Sequence, residues 1–199
     1  MTLPTSCRVA VLTVTLLIIA SCSGSRVADG VPRNQSNLCA IFAEFPQWRE
    51  AAIASSRKWG APVEVQMAII WRESSFRAAV RPPKKYILGI IPNGNISSAY
   101  GYAQAIDGTW NWYRRDTGNR RADRTDFSDA VDFVGWYMNQ SVRQNGIGMH
   151  DAYNQYLAYH EGHGGHRSGS YNAKSWLLKA ARGVASRAAT YRGQLRRCS

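Results

Sequence analysis

Between residues 37 and 199 small or apolar positions recur mostly at three- and four-residue intervals, the period of a helix with one buried side. Over Pro46 to Trp59 they fall at Trp48, Ala52, Ser55 and Trp59. Over Val63 to Glu73 they fall at Val63, Met67, Ile70 and Trp71, and apolar residues also fill the gaps, so this helix is expected to be buried nearly all round. Pro62 suits its first turn, where a missing N–H leaves nothing unsatisfied. Further helices are expected at Ala103 to Tyr113, at Phe127 to Gln144 behind an Asp126 cap, at Asp151 to His160, at Ala173 to Ala181 and at Val184 to Leu195. Arg81 to Ala99 breaks the period with Pro82-Pro83, Gly89, Pro92 and Asn93-Gly94-Asn95. Its apolar run Tyr86 to Ile91 can pair with Ile96 to Ala99 in a small hairpin turning at Asn93-Gly94. Helices and at most one small hairpin make the fold class all-α, with no internal repeat.

The first 36 residues follow another pattern. Arg8 is the only charge before an apolar run from Val9 to Ala20, and small residues follow at Ser21-Cys22-Ser23-Gly24-Ser25. This is the layout of an export signal, and the run of about 12 residues is short of the roughly 20 that span a membrane. Ile19-Ala20-Ser21-Cys22 resembles a bacterial lipobox, which makes Cys22 the candidate for lipidation and the start of the processed chain; an ordinary secretory signal cut nearby is the alternative. Acyl chains on Cys22 would hold the protein to a membrane at roughly 0.8 kcal/mol per buried methylene. Ser23 lacks the aspartate associated with inner-membrane retention, so the expected place is the bacterial cell envelope, anchored to the outer membrane and facing the periplasm. The chain divides into a signal at 1–21, a Ser-, Gly- and Asn-rich tether at 22–36 and one domain at 37–199.

Composition narrows the partners. The 199 residues carry 25 Lys and Arg against 13 Asp and Glu, a balance of +12, and removing residues 1–21 takes away only Arg8. Such a chain is drawn to polyanions. Export argues against nucleic acid, and the basic residues Lys174, Lys179, Arg182, Arg187, Arg192, Arg196 and Arg197 are spread around two expected helices. They read as a solvated face that attracts anionic groups. With Cys7 in the signal and Cys22 acylated, Cys39 and Cys198 remain at the two ends of the domain. In an oxidising compartment they are expected to form a disulfide, the alternative being two unrelated buried thiols.

Three stretches carry candidate chemistry. Glu73 ends an apolar helix beside Trp71 and Phe76, where desolvation raises a carboxyl and lets it keep a proton near neutrality. Ser97-Ser98-Ala99-Tyr100-Gly101-Tyr102-Ala103-Gln104 combines small and aromatic residues with a glycine that permits close backbone approach and a glutamine suited to a neutral polar ligand. Ala158-Tyr159-His160-Glu161-Gly162 ends a helix at a glycine. In this order the three resemble the Glu-Ser-Ser-Phe, Ser-x-Ala-x-Gly-x-x-Gln and Ala-Tyr-x-x-Gly motifs of the lytic transglycosylases, lysozyme-like enzymes that cleave bacterial peptidoglycan. The resemblance covers Trp59 to Gly162. It departs from the family at Tyr102-Ala103, where leucine and methionine are more usual, and at His160-Glu161.

The resemblance implies a lysozyme-like fold and a single-acid reaction on the bond between N-acetylmuramic acid and N-acetylglucosamine. Glu73 would protonate the bridging oxygen and then take the proton of the muramic C6 hydroxyl, closing a 1,6-anhydro ring. Ser97, Ser98, Tyr100, Gln104, Tyr159 and Glu161 are the expected substrate-binding residues, and Trp110, Trp112 and Tyr113 are candidates for sugar stacking. Glu161 could also supply the second carboxylate that an inverting hydrolase needs roughly 6.5–9.5 Å from its acid. The rival readings are therefore a true lysozyme using Glu161 and a non-catalytic wall-binding lipoprotein. His160, Glu161, His163 and His166 lack the four-residue histidine spacing of a zinc helix and are interrupted by glycines, so metal: none is the expectation. No cofactor is called for, the partner is the peptidoglycan glycan strand, and a monomer is expected.

Overall fold

The first helix begins where Asn37 accepts a hydrogen bond from the Ala40 N–H at 3.1 Å, a cap that the apolar spacing alone did not reveal. The computed structural model describes residues 30–87 and 91–198. Along them run α1 (Leu38–Glu44), α2 (Pro46–Trp59), α3 (Val63–Ser74), β1 (Lys84–Ile87), β2 (Ile91–Asn95), α4 (Asp107–Thr117), α5 (Phe127–Asn145), α6 (Ala152–Ser168), a 3₁₀ turn (Ser170–Ala173) and α7 (Ser175–Leu195). The fold is all-α apart from one short antiparallel hairpin. The expected signal and Cys22 lie outside the described residues.

α5 is the central element, with Val131, Val134, Trp136 and Met138 fully buried, and it packs against α2, α3, α4 and α6. α2 crosses it closely. A Cβ on Gly135 would meet Ser55 Oγ at 2.3 Å and Trp59 Cδ1 at 3.0 Å, so only glycine permits this approach. Trp48 of α2 is sandwiched between Phe45 at 4.3 Å and Phe127 at 4.0 Å, which ties the start of α2 to the start of α5. α3 is buried on nearly every side, as its sequence predicts, and is flanked by α5 and α7. α7 also packs on α1 and α6. The disulfide is present: Cys39 of α1 is bonded to Cys198 just beyond α7, 159 residues apart in sequence.

Several boundaries differ from the sequence expectation. The hairpin pairs Ile87 with Ile91 and Lys84 with Asn95, so it does not turn at Asn93-Gly94. Those two residues lie inside β2 at a bulge, with Gly94 at φ +69° taking up the extra residue. The helix expected at Ala103 starts only at Asp107, because residues 100–105 fold back on themselves. Tyr100 N–H bonds the Ala105 carbonyl, and Gly101, at φ +82°, brings its backbone against Arg124. α6 does not stop at Gly162; the glycine breaks it at φ 75°, ψ 163°, a conformation only glycine adopts without strain, and a second helical run follows. α7 is one helix where two were expected, with Gly183 simply absorbed. Of the expected tether, residues 30–36 are described, and some already contact the fold. The Tyr191 hydroxyl donates to the Gln35 carbonyl and Gln194 Nε2 to the Ser36 carbonyl.

Candidate active site

Glu73 occupies the last turn of α3, and the residues after it explain why the helix ends there. Ser75 and Phe76 both take left-handed backbone, at φ 52° and φ 60°, and the Ser75 N–H closes on the Trp71 carbonyl at 2.9 Å. Each such non-glycine residue costs about 1 kcal/mol or more. Burial of the Phe76 ring beside Trp48 offsets the cost and anchors the turn. The Glu-Ser-Ser-Phe stretch is thus a helix stop that leaves Glu73 at the wall of a cleft of about 500 Å³.

The cleft brings together Glu73, Ser97, Gln104, Tyr159 and Glu161, residues spread over 88 positions of sequence. Burial pushes the Glu73 carboxyl up to about 7, against the downward pull of a hydrogen bond from Tyr156 and the charge of Arg72. Its Oε1 is enclosed without a hydrogen-bond partner. Besides the adjacent Arg72, two tyrosines of α6 are coupled to Glu73. Tyr156 and Tyr159 both sense the Glu73 charge, whereas Trp71 stacks under the Arg187 guanidinium at 4.1 Å. Tyr159 donates its hydroxyl hydrogen to the Ala103 carbonyl at 2.5 Å, which fixes the ring between α6 and the loop opposite.

That loop is held by its own bonds. Gln104, at φ 47°, donates Nε2 to the carbonyls of Val80 and Gly101 at 2.9 and 2.8 Å, so only its side-chain oxygen is left for a ligand. Ser97 Oγ accepts from the Ala99 N–H at 3.1 Å and lines the cleft. Ser98 and Tyr100 do not line it. Ser98 Oγ accepts from the Asp107 N–H at the start of α4, and Tyr100 lies beneath the Arg81 guanidinium at 3.8 Å, in a separate polar pocket with Arg114 and Arg124. Arg124 clamps the loop by donating to the Ser98 and Ala105 carbonyls at 3.2 and 2.9 Å.

Glu161 lines the cleft, but its side chain is only 4% exposed and its oxygens are occupied. Lys174 Nζ donates to both oxygens at 2.7 and 2.8 Å, the Ser170 hydroxyl donates to Oε2, and His160 Nδ1 lies 3.1 Å from Oε1. Burial alone would raise this carboxyl, yet those hydrogen bonds and the Lys174 charge outweigh it and hold it at about 2. The other histidines point into separate surroundings: His163 is stacked on Tyr137 at 4.6 Å and faces Ser141, and His166 faces Asn145 and Asn154. Among the described residues no three His, Cys, Asp or Glu are grouped to hold a metal ion.

The expected stacking residues of α4 lie elsewhere. Trp110 and Tyr113 are buried beside Phe133, Trp112 packs edge-on against Trp136 at 4.6 Å, and none of the three lines the cleft. The aromatic wall is instead Phe133, Tyr137 and Tyr159, with Ile96 and Ile106 at its rim. Phe133 and Tyr137 carry no separate signal in the sequence, since they share the period of the buried side of α5. The expected solvated basic face is also partly committed: Lys174 pairs with Glu161, Arg192 with Glu64 at 2.8 Å, and Arg187 covers Trp71.

A proton-holding carboxyl at a helix end, opening on a cleft with an aromatic wall, belongs to an enzyme of the lysozyme-like class that cleaves glycan chains. The family described as Transglycosylase SLT domain matches residues 10–198, and the chain belongs to it: it is a peptidoglycan lytic transglycosylase of the cell envelope. No curated protein matches the chain. Among the described residues no helix is long and apolar enough to cross a membrane.

Proposed function

We propose that this transglycosylase cleaves the bond between N-acetylmuramic acid and N-acetylglucosamine without water, with Glu73 as acid and then as base. The observation that carries the reading is the enclosed, unpartnered oxygen of Glu73 at the cleft wall, on a carboxyl lifted to about 7. Protonated Glu73 donates to the bridging oxygen, and the C1–O bond breaks as the N-acetylglucosamine hydroxyl leaves. Positive charge on the muramic ring is met by the oxygen of its own 2-acetamido group, so no second enzyme carboxylate is required. The Glu73 carboxylate then takes the C6 hydroxyl proton as that oxygen bonds to C1, giving the 1,6-anhydro sugar. Glu73 ends protonated, ready for the next cycle.

Glu161 supports this choice over an inverting hydrolase. A carboxylate held at about 2 and bonded to Lys174, Ser170 and His160 is a poor base for water. Ser97, Gln104 and Tyr159 line the cleft for the N-acetyl and hydroxyl groups of the sugars. In this proposal the enzyme works as a monomer and Cys22 anchors it by lipid to the outer membrane, supported by the Ile19-Ala20-Ser21-Cys22 sequence. Mass spectrometry of sugars released from purified peptidoglycan tests the chemistry. Anhydro ends from the wild type and none from Glu73→Gln are expected. Reducing ends would transfer the reaction to a hydrolase, and equal product from both proteins would remove Glu73 from it.

A further inference from the structure

Exposed apolar side chains gather around the cleft. Ile96 and Ile106 are 55% and 48% exposed and line it directly. Trp176, also 55% exposed, lies with its ring 5.0 Å from that of His160, nearly edge-on at 77°, and His160 lines the cleft. A single exposed indole is not unusual on a protein surface. This one differs in being held in place. It sits in the first turn of α7, two residues after Lys174, and Lys174 is bonded to both oxygens of the enclosed Glu161. His160, the residue that Trp176 touches, also bonds Glu161. A carboxylate without a part in the chemistry thus pins both the cleft wall and the start of α7, and with them the rim on which Trp176 stands.

We infer that Trp176 is a stacking platform for a sugar of the glycan strand lying beyond the catalytic cleft, with Glu161 and Lys174 as its positioning pair. The inference rests on the peptidoglycan reading of the cleft. A pyranose ring presents a face of C–H groups, and an indole presents a flat electron-rich face, so the two stack without needing an order of hydroxyl groups. An indole with few rotatable bonds and a pinned backbone loses little freedom when a sugar lands on it. Such a contact favours long strands over short fragments and leaves the acid chemistry unchanged.

The test uses the full chain carrying Glu73→Gln and, as probes, N-acetylglucosamine oligomers of increasing length. Affinity should rise with length. Adding Trp176→Ala should weaken the longest oligomer about tenfold and the shortest less than about twofold, while Trp176→Phe keeps most of the binding. An indole N–H resonance assigned by Trp176→Phe should shift with long oligomers only, a readout that does not need the alanine variant to fold. Equal loss at all lengths, no loss at any, or an affinity that does not grow with length would overturn the platform. Anhydro products from the wild type report on Glu73 separately, so failure of the platform and failure of the catalytic reading are told apart.

Discussion

A carboxyl poised for acid chemistry must weaken the fold that holds it, and Glu73 allows that cost to be measured. Burial lifts it from 4.5 to about 7, so between those two values the folded chain keeps a proton that the unfolded chain has released. The folded state then binds more protons than the unfolded one, and stability falls as pH rises through this window. Over the whole window the loss amounts to about 3–4 kcal/mol, after which it stays constant. Glu73→Gln keeps the shape and removes the titration. Relative to the wild type, the variant should differ by a fixed offset below about pH 4.5, gain about 3–4 kcal/mol between about pH 4.5 and 7, and hold that gain above. In urea the gain corresponds to a midpoint shift of roughly 1–2 M at unchanged slope. Titration of Glu161 and of surface groups is common to both proteins and cancels in the difference. Unfolding curves at four pH values from acid to pH 8 would suffice. A difference that is flat across this range would mean that Glu73 ionises freely in the folded chain, and the argument that it holds its proton for the glycosidic oxygen would fail.

Three further outcomes are expected. Glu161→Gln should still yield anhydro products, with kcat within about tenfold of wild type, because the group it removes is no base. It should cost roughly 1–2 kcal/mol near neutrality, reduced from the full shift because Lys174 is 40% exposed. Since the Glu161 carboxyl is depressed from 4.5 to about 2, that stability is complete above about pH 4.5 and is lost as pH falls towards 2, which acid unfolding of the two proteins would read. Reducing the Cys39–Cys198 bridge, or replacing both cysteines by alanine, should lower stability by about 5 kcal/mol, since it frees a loop closed over 159 residues, and urea unfolding with and without reductant measures it. Gly101→Ala places a Cβ 2.0 Å from the Arg124 carbonyl oxygen at a backbone φ of +82°, so thermal unfolding should report a loss of about 3 kcal/mol or more.

The long helices were legible because their period is set by what they bury: α2 and α5 begin and end within a residue of the expected limits. α1 was missed because its seven residues are too few for a period, and its cap is a single asparagine. Residues 103–106 were misread as the start of a helix because the conformation of this loop is imposed from outside, by Arg124 and by the carbonyl of Val80. Glu73 stood out by its place at the end of an apolar helix, but its coupling to Tyr156 and Tyr159 of α6 could not be inferred from its neighbours in sequence. Tyr100 and Ser98 were grouped with the binding residues because they belong to the Ser-x-Ala-x-Gly-x-x-Gln motif. In space the fold-back at Gly101 separates Tyr100 from the cleft, and Ser98 caps the start of α4.

The covalent tie between α1 and the end of α7 also has a mechanical side. Tension applied to the chain ahead of Cys39 and behind Cys198 passes through two sulfur atoms and bypasses the helices between them, because the Cα atoms of the two cysteines are only 5.8 Å apart. Drawn out in single-molecule pulling, the oxidised domain should lengthen by no step between these points. After reduction the same pull should release about 500 Å of chain, at roughly 3.4 Å per residue.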